Sequence, residues 1–200
     1  MPKQTFYNLE KDKKDRLIEA CLEEFSSYTF TDSSINRIIK NAEISRGSFY
    51  QYFEDKEDCY MEVLGMIAQE KYALFKDVVS DESHGVFDDY LTMLKQVRIW
   101  MEAQPRYYKI GILMQKDDSD FIRKLNEKNP SMKDYFIYLI KKDQDKGLIR
   151  KEIDPNLLSE VLTSTSQKIL LELFENKEYE LMIEKSKQII HLLQYGTKVQ

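Results

Sequence analysis

Residues that break helices are scarce in this chain: six glycines and four prolines among 200 residues. A β fold built from short strands needs a turn signal every 8–12 residues or so, and so few breakers cannot supply one. Apolar residues instead recur at helical intervals. Leu17, Ile18, Cys21, Leu22 and Phe25 share one face, with Lys13, Glu19, Glu23 and Glu24 opposite. The pattern predicts an all-α chain of about nine helices, with no repeats and no low-complexity tract.

Capping signals divide the chain further. Asn8 is a candidate cap for the first helix, and Thr29 to Ser34 form a break rich in N-cap residues. Ile35, Ile38, Ile39 and Ala42 mark a short second helix. Ser45 caps a third, running to about Tyr52. Asp55, with Asp58 as capping-box partner, opens a fourth that runs to about Val79. A loop over Ser80–Gly85 follows. From Val86 to Ala103 nearly every face is apolar, as in a buried central helix, and Pro105 ends it. A shorter apolar segment covers Tyr107 to Met114, and Lys116 to Asp120 are polar. Ser131 and Asp134 read as another capping box, for a helix that Gly147 stops. Asp154 with Pro155 starts a helix to about Glu175, and the last runs from about Lys177 to Tyr195.

Several function classes fall away. No apolar run approaches the roughly 18 residues that span a membrane, and the first residues lack the apolar core of a secretion signal. Two cysteines without a CxxC pair fit a reducing cytoplasm, with Cys21 and Cys59 read as buried apolar residues. His84 and His191 are not at metal-ligand spacing. With no phosphate loop and no nucleophile–base arrangement, neither an enzyme nor a metal or cofactor site is expected.

The informative window is Ser33 to Glu57, a helix, a three-residue turn and a second short helix. The second helix presents small or hydrogen-bonding residues outward: Arg46, Gly47, Ser48 and Gln51. Phe49 and Phe53, four apart, anchor it inward, with Ile35, Ile38 and Ile44 as further core. A helix with few bulky outward groups can lie close in the DNA major groove. Arg46, Tyr50 and Lys56 suit phosphates, and Ser48 and Gln51 suit base edges. Arg37 reads either as a base contact or as a cover for the helix surface. Lys3 reads as part of a disordered tail rather than a DNA-touching arm.

This window resembles the TetR family of regulators. The family's spacing appears here as Ser33-Ser34-Ile35, Ile38, then Ser45-Arg46-Gly47-Ser48-Phe49-Tyr50-Gln51-Tyr52-Phe53-Glu54-Asp55-Lys56-Glu57, in register from about Leu17 to Leu64. Two positions depart. Glu43 stands where the family usually has a turn glycine, and Ile39 where it often has a small residue.

The resemblance implies a helix-turn-helix DNA-binding domain over residues 1–54 and an effector-binding and dimerisation domain over 55–200. It implies a homodimer on palindromic double-stranded operator DNA, most simply a repressor released by a small, largely apolar effector. Ser33, Ser34, Arg37, Ser45, Arg46, Gly47, Ser48, Tyr50, Gln51, Tyr52 and Lys56 become the expected DNA-facing set. An effector pocket is expected from Tyr90, Met93, Leu94, Val97, Trp100, Tyr108, Met114, Phe136, Ile140, Ser164 and Gln167. The last two long helices imply a dimer interface of Val161, Thr165, Ile169, Leu173, Ile189, Ile190 and Leu193. The polar run Thr163 to Gln167 reads three ways: pocket, dimer seam or solvent face. The alternative function is a helical ligand-binding or adaptor protein with weak or lost DNA binding.

Charge constrains that reading. The net charge is −5, and residues 1–58 hold nine Lys and Arg against twelve Asp and Glu. DNA attraction must therefore come from one face rather than from a basic domain. Arg37, Lys40 and Arg46 against Glu43 supply such a face locally. Weak non-specific binding is the consequence.

Overall fold

The computed structural model describes residues 1–75, 85–128 and 132–197. Among them are eleven helices and no strand: α1 Gln4–Tyr7, α2 Lys11–Ser27, α3 Ile35–Asn41, α4 Arg46–Tyr52, α5 Lys56–Phe75, α6 Val86–Ala103, α7 Pro105–Gln115, α8 Asp120–Lys128, α9 Met132–Asp145, α10 Pro155–Glu175 and α11 Tyr179–Thr197. The all-α expectation holds, with two helices more than anticipated. α1 is a single turn, too short for periodicity, and is held by its one buried side chain, Phe6. α8 hides among charged residues, with Ile122 buried and Phe121 and Leu125 half-buried. No described helix is long and apolar enough to cross a membrane. The loop expected at 80–84, the Ser131 cap and the side chain of Gln167 lie outside the described residues.

Most caps behave as the residues dictate. Ser45 Oγ accepts from Ser48 N–H at 3.0 Å, and Asp55 accepts from Asp58 N–H at 2.8 Å. Asp154 accepts from Asn156 N–H at 2.9 Å, just ahead of α10. Pro105 occupies the first turn of α7, and Gly147, with φ 72°, closes α9. Asn8 does not cap α2. It closes α1 with an N–H bond to Gln4 O, and Glu10 holds the cap position of α2.

The chain forms two compact units, residues 1–73 with 101–126, and 74–100 with 127–200. In the first, α2 packs on α3 and α7. Leu17, Cys21, Phe25, Ile38, Phe49, Phe53, Cys59, Val63, Ile110 and Ile122 form its core. Phe25 meets Tyr60 edge-on at 4.8 Å, and Phe30 lies 4.5 Å from Phe121. The thiols of Cys21 and Cys59 lie 3.1 Å apart, and burial pushes the Cys59 thiol well up from its ordinary range. Arg106 forks onto Glu19, and its hydrogen bond holds that exposed carboxyl below the usual range.

In the second unit α10 packs against α9 and α11. Its core includes Phe87, Tyr90, Met93 and Leu94 of α6, Phe136 and Ile140 of α9, Leu162 of α10 and Met182 of α11. The buried carboxylate of Asp143 accepts from Val86 N–H at 2.7 Å, so α9 caps α6. Gln144 Nε2 donates to Arg150 O at 3.0 Å and Ile153 O at 2.8 Å, bracing the turn after Gly147.

Candidate nucleic-acid interface

The first turn of α3 has orphan N–H groups, and Ser34, in the cap position, gives no side-chain cap bond. Glu24, reaching from α2, takes that role. Its carboxylate, 2% exposed, accepts from Ser34 N–H at 2.6 Å and is gripped by Arg37 through Nε at 2.9 Å and Nη2 at 2.6 Å. Arg37 also donates to Asp32 O at 2.7 Å and stacks 4.0 Å from the Tyr28 ring. These bonds hold the guanidinium along the start of α3, with the side chain 43% exposed.

Lys56 is turned inward. Its ammonium donates to Phe30 O at 2.7 Å, Ser33 O at 2.9 Å and Thr31 O at 3.3 Å, which engages all three of its donors. Burial pulls its pKa down. Lys56, expected at a phosphate, clamps the α2–α3 turn. Asp117 tightens the same turn, accepting from Thr31 N–H at 2.7 Å and from its hydroxyl at 3.2 Å. Burial raises the Asp117 pKa, but the bonds from Ser119 and Thr31 outweigh it and leave the carboxyl below its usual range.

Between α3 and α4 the backbone makes a Schellman closure. Ile44 N–H reaches Ile39 O at 3.2 Å and Glu43 N–H reaches Lys40 O at 3.3 Å. Glu43 sits at φ 54°, the left-handed conformation that a glycine adopts without strain. The departure flagged at Glu43 is thus a mild local strain that leaves the turn intact.

α4 then presents its polar face. Phe49 and Phe53 are fully buried beneath it, 5.3 Å apart, whereas Ile35 and Ile44 are half-buried. Ser45, Arg46, Gly47, Tyr50 and Gln51 are exposed and Ser48 is half-exposed. Arg46 Nη1 donates to Asn36 Oδ1 at 2.7 Å, and Nη2 to the Tyr50 hydroxyl at 3.3 Å, a polar chain from α3 to α4. Ser33, Ser34, Ile35, Asn36, Arg46 and Lys56 line an open, mostly polar depression there. Two expected residues present little surface there. Ser33 is buried, its hydroxyl donating to Phe30 O at 2.7 Å. Tyr52 is 5% exposed and lies under the Lys13 ammonium, 5.6 Å from its ring centre.

The sequence reading missed Glu24 and Asn36. Glu24 sits one position from the apolar face of α2, and its spacing to Arg37 becomes visible only once α2 and α3 are placed. Asn36 follows Ile35 on α3 and was open to a helical-wheel argument. Lys3, read as a tail, is instead bonded to α4 through its backbone N–H and its ammonium.

In the second unit, Tyr90, Met93, Leu94, Trp100, Phe136 and Ile140 are buried and Val97 is half-buried. Tyr90 and Phe136 meet at 5.3 Å. Ser164 is exposed on α10, whereas Tyr108 and Met114 belong to the first unit. Leu173 and Ile190, expected at an interface, are 4% and 3% exposed and belong to the unit's own core. Thr165, Ile169, Ile189 and Leu193 are half-buried. Among the described side chains, α10 and α11 leave Leu157, Val161, Leu181, Leu192 and Tyr195 open.

Residues 17–63, which run from within α2 through α3 and α4 to the first part of α5, match the family described as bacterial regulatory proteins, tetR family. Over that stretch the chain is similar to the TetR family. An HTH-type transcriptional regulator of Bacillus subtilis, YdgC, is 36% identical to this chain over 53 residues, which are 26% of this chain and 27% of that relative. The aligned stretch thus spans about a quarter of the curated relative's length. Over the whole length, a TetR-family transcriptional regulator from Chloroflexus aurantiacus superimposes with a TM-score of 0.78 at 26% identity, covering 100% of both chains. FadR of Bacillus subtilis, solved with stearoyl-CoA, shares the fold at a TM-score of 0.70 and 17% identity, covering 91% of this chain and 98% of its own. SmeT, the repressor of a Stenotrophomonas maltophilia multidrug efflux pump, shares it at a TM-score of 0.70 and 14% identity, covering 93% and 90%.

Proposed function

We propose that this protein is a ligand-responsive transcriptional repressor of the TetR family. On this reading it binds a palindromic operator as a homodimer and leaves it when a small, largely apolar effector binds. The observation that carries the reading is the construction of α4, whose Phe49 and Tyr52 are buried beneath while Arg46, Gly47, Ser48, Tyr50 and Gln51 face outward. Arg46, Tyr50 and Ser34 would hold phosphates, and Ser48, Gln51 and Asn36 would face base edges. Gly47 fits close approach. A Cβ there would meet only Ser45 Oγ, at 3.8 Å, so nothing inside the protein requires a glycine. Ser33, Arg37, Tyr52 and Lys56 act from behind, fixing α3 and α4.

The second unit would take the effector and form the dimer. Its aromatic and methionine-rich core around Tyr90, Met93 and Phe136 suits an apolar molecule, in keeping with the stearoyl-CoA bound by the FadR relative. For the dimer, α10 leaves Leu157, Val161, Ser164 and Lys168 on one exposed stripe, and α11 leaves Leu181, Lys185, Gln188, Leu192 and Tyr195 on another.

The test is fluorescence anisotropy with duplexes enriched by the protein from a random pool. Palindromic enrichment, lost in an Arg46→Ala/Tyr50→Ala double variant, is the expected result. Equal binding by the wild type and the double variant would favour an adaptor that has lost DNA recognition.

A further inference from the structure

α4 has only seven residues, too few to be stable alone. Its last turn also exposes carbonyls that no helical N–H can satisfy. Phe53 N–H closes onto Phe49 O at 2.9 Å. Glu54 N–H, next in line for Tyr50 O, turns away to Asp58 Oδ2 at 3.2 Å. The carbonyls of Tyr50, Gln51 and Tyr52 are each taken by a donor from one short stretch before α2. Lys3 Nζ donates to Tyr50 O at 2.9 Å. The Thr5 hydroxyl donates to Gln51 O. Lys3 N–H donates to Tyr52 O at 2.8 Å. Below them Phe6, fully buried, lies 5.0 Å from Phe53, and the Lys14 ammonium sits 4.7 Å over the Phe6 ring.

We infer that residues 3–6 are a brace that sets the C-terminal half of α4 for reading DNA, with Lys3 and Thr5 as positioning residues. The inference rests on the proposed role of α4 and names what aligns it. Three donors hold three consecutive carbonyls from the side, and none of them covers the outward face that carries Gly47, Ser48 and Gln51. The Lys3 cation also sits at the negative end of the helix dipole. Its charge is turned towards the protein, so it supplies alignment rather than attraction for phosphate. Base readout by hydrogen bonds tolerates only about half an ångström of misplacement. Loosening the brace should therefore erode discrimination between sequences and leave sequence-independent attraction intact.

The experiment uses the full chain and duplexes enriched by the wild type from a random pool, with scrambled duplexes of equal composition. Lys3→Met and Thr5→Val remove one donor each at nearly constant shape, and Lys3→Arg and Thr5→Ser restore it. The expected result is about 3- to 10-fold weaker binding to the enriched duplex, the size of one hydrogen bond. Scrambled binding and the salt slope should stay unchanged, and the restoring variants should recover affinity. If Lys3→Met lowers the melting temperature, the near-isosteric Thr5→Val carries the test. Equal loss on both duplexes, or no loss on the enriched one, overturns the brace and leaves DNA reading by α4 standing. Failure of the wild type to enrich any sequence overturns both.

Discussion

α4 and α11 solve opposite problems. α4 is seven residues long, is pinned at its start by Ser45 and at its end by Lys3 and Thr5, and rests on two fully buried phenylalanines. α11 is nineteen residues long and leaves Leu192 and Tyr195 at 73% and 75% exposure. The short helix owes its place to specific bonds from neighbouring elements. The long one keeps apolar surface that its own unit does not cover. The difference teaches where each kind of substitution should be felt: on α4 through the fold of the first unit, on α11 through association.

The sharpest way to break the contrast is Phe49→Ala. Emptying that fully buried site should cost about 3–5 kcal/mol and melt the first unit, seen as an early transition in calorimetry. Glu24→Ala should cost about 3 kcal/mol, since it strips the start of α3 and leaves Arg37 without its partner; a loss below about 1 kcal/mol in denaturant titration would dismiss the Glu24 cap. Leu192→Glu should weaken self-association by about 2 kcal/mol or more while changing monomer stability by less than about 0.5 kcal/mol. Light scattering across a dilution series measures the first, and an unchanged mass profile would place the interface elsewhere.

Smaller effects refine the picture. Asp117→Asn should destabilise by about 1 kcal/mol near neutral pH. The folded pKa of Asp117 lies below its unfolded value, so its contribution is present above the ordinary carboxylate range and fades as pH falls through the folded pKa. The gap between variant and wild type should therefore be flat from about pH 5 to 8 and close in acid. Glu43→Gly relieves the left-handed strain against a looser unfolded chain. It should stabilise by at most about 1 kcal/mol, read as a small rise in melting temperature.

Much of this was legible from residue order. Helical periodicity marked nine of the eleven described helices, and Ser45, Asp55, Pro105, Gly147 and Pro155 marked their ends as local chemistry requires. The inward and outward sides of α4 followed from Phe49 and Phe53 being four apart. What order could not show was where long side chains go. Arg37 and Lys56 look like free cations in one dimension, and only the closeness of Glu24 and of the Phe30 and Ser33 carbonyls turns them inward. Leu173 and Ile190 turn out buried within their own unit for a related reason: periodicity finds an apolar face but not which neighbour covers it. α1 escaped because one turn has no period, and its place depends on bonds to residues some fifty positions away.

The inward turn of Arg37 and Lys56 has a consequence for how such a regulator would search DNA. Every phosphate that a cation neutralises frees a condensed counterion, and that release drives adhesion to any sequence. Arg37 is paired with Glu24 and Lys56 holds three carbonyls of the α2–α3 turn, which leaves Lys40 and Arg46 as the unpaired positive charges of α3 and α4 that face outward. Few ions would then be released per encounter. Random DNA would hold the protein only briefly, affinity would depend weakly on salt, and residence would come almost wholly from the fit at the right site.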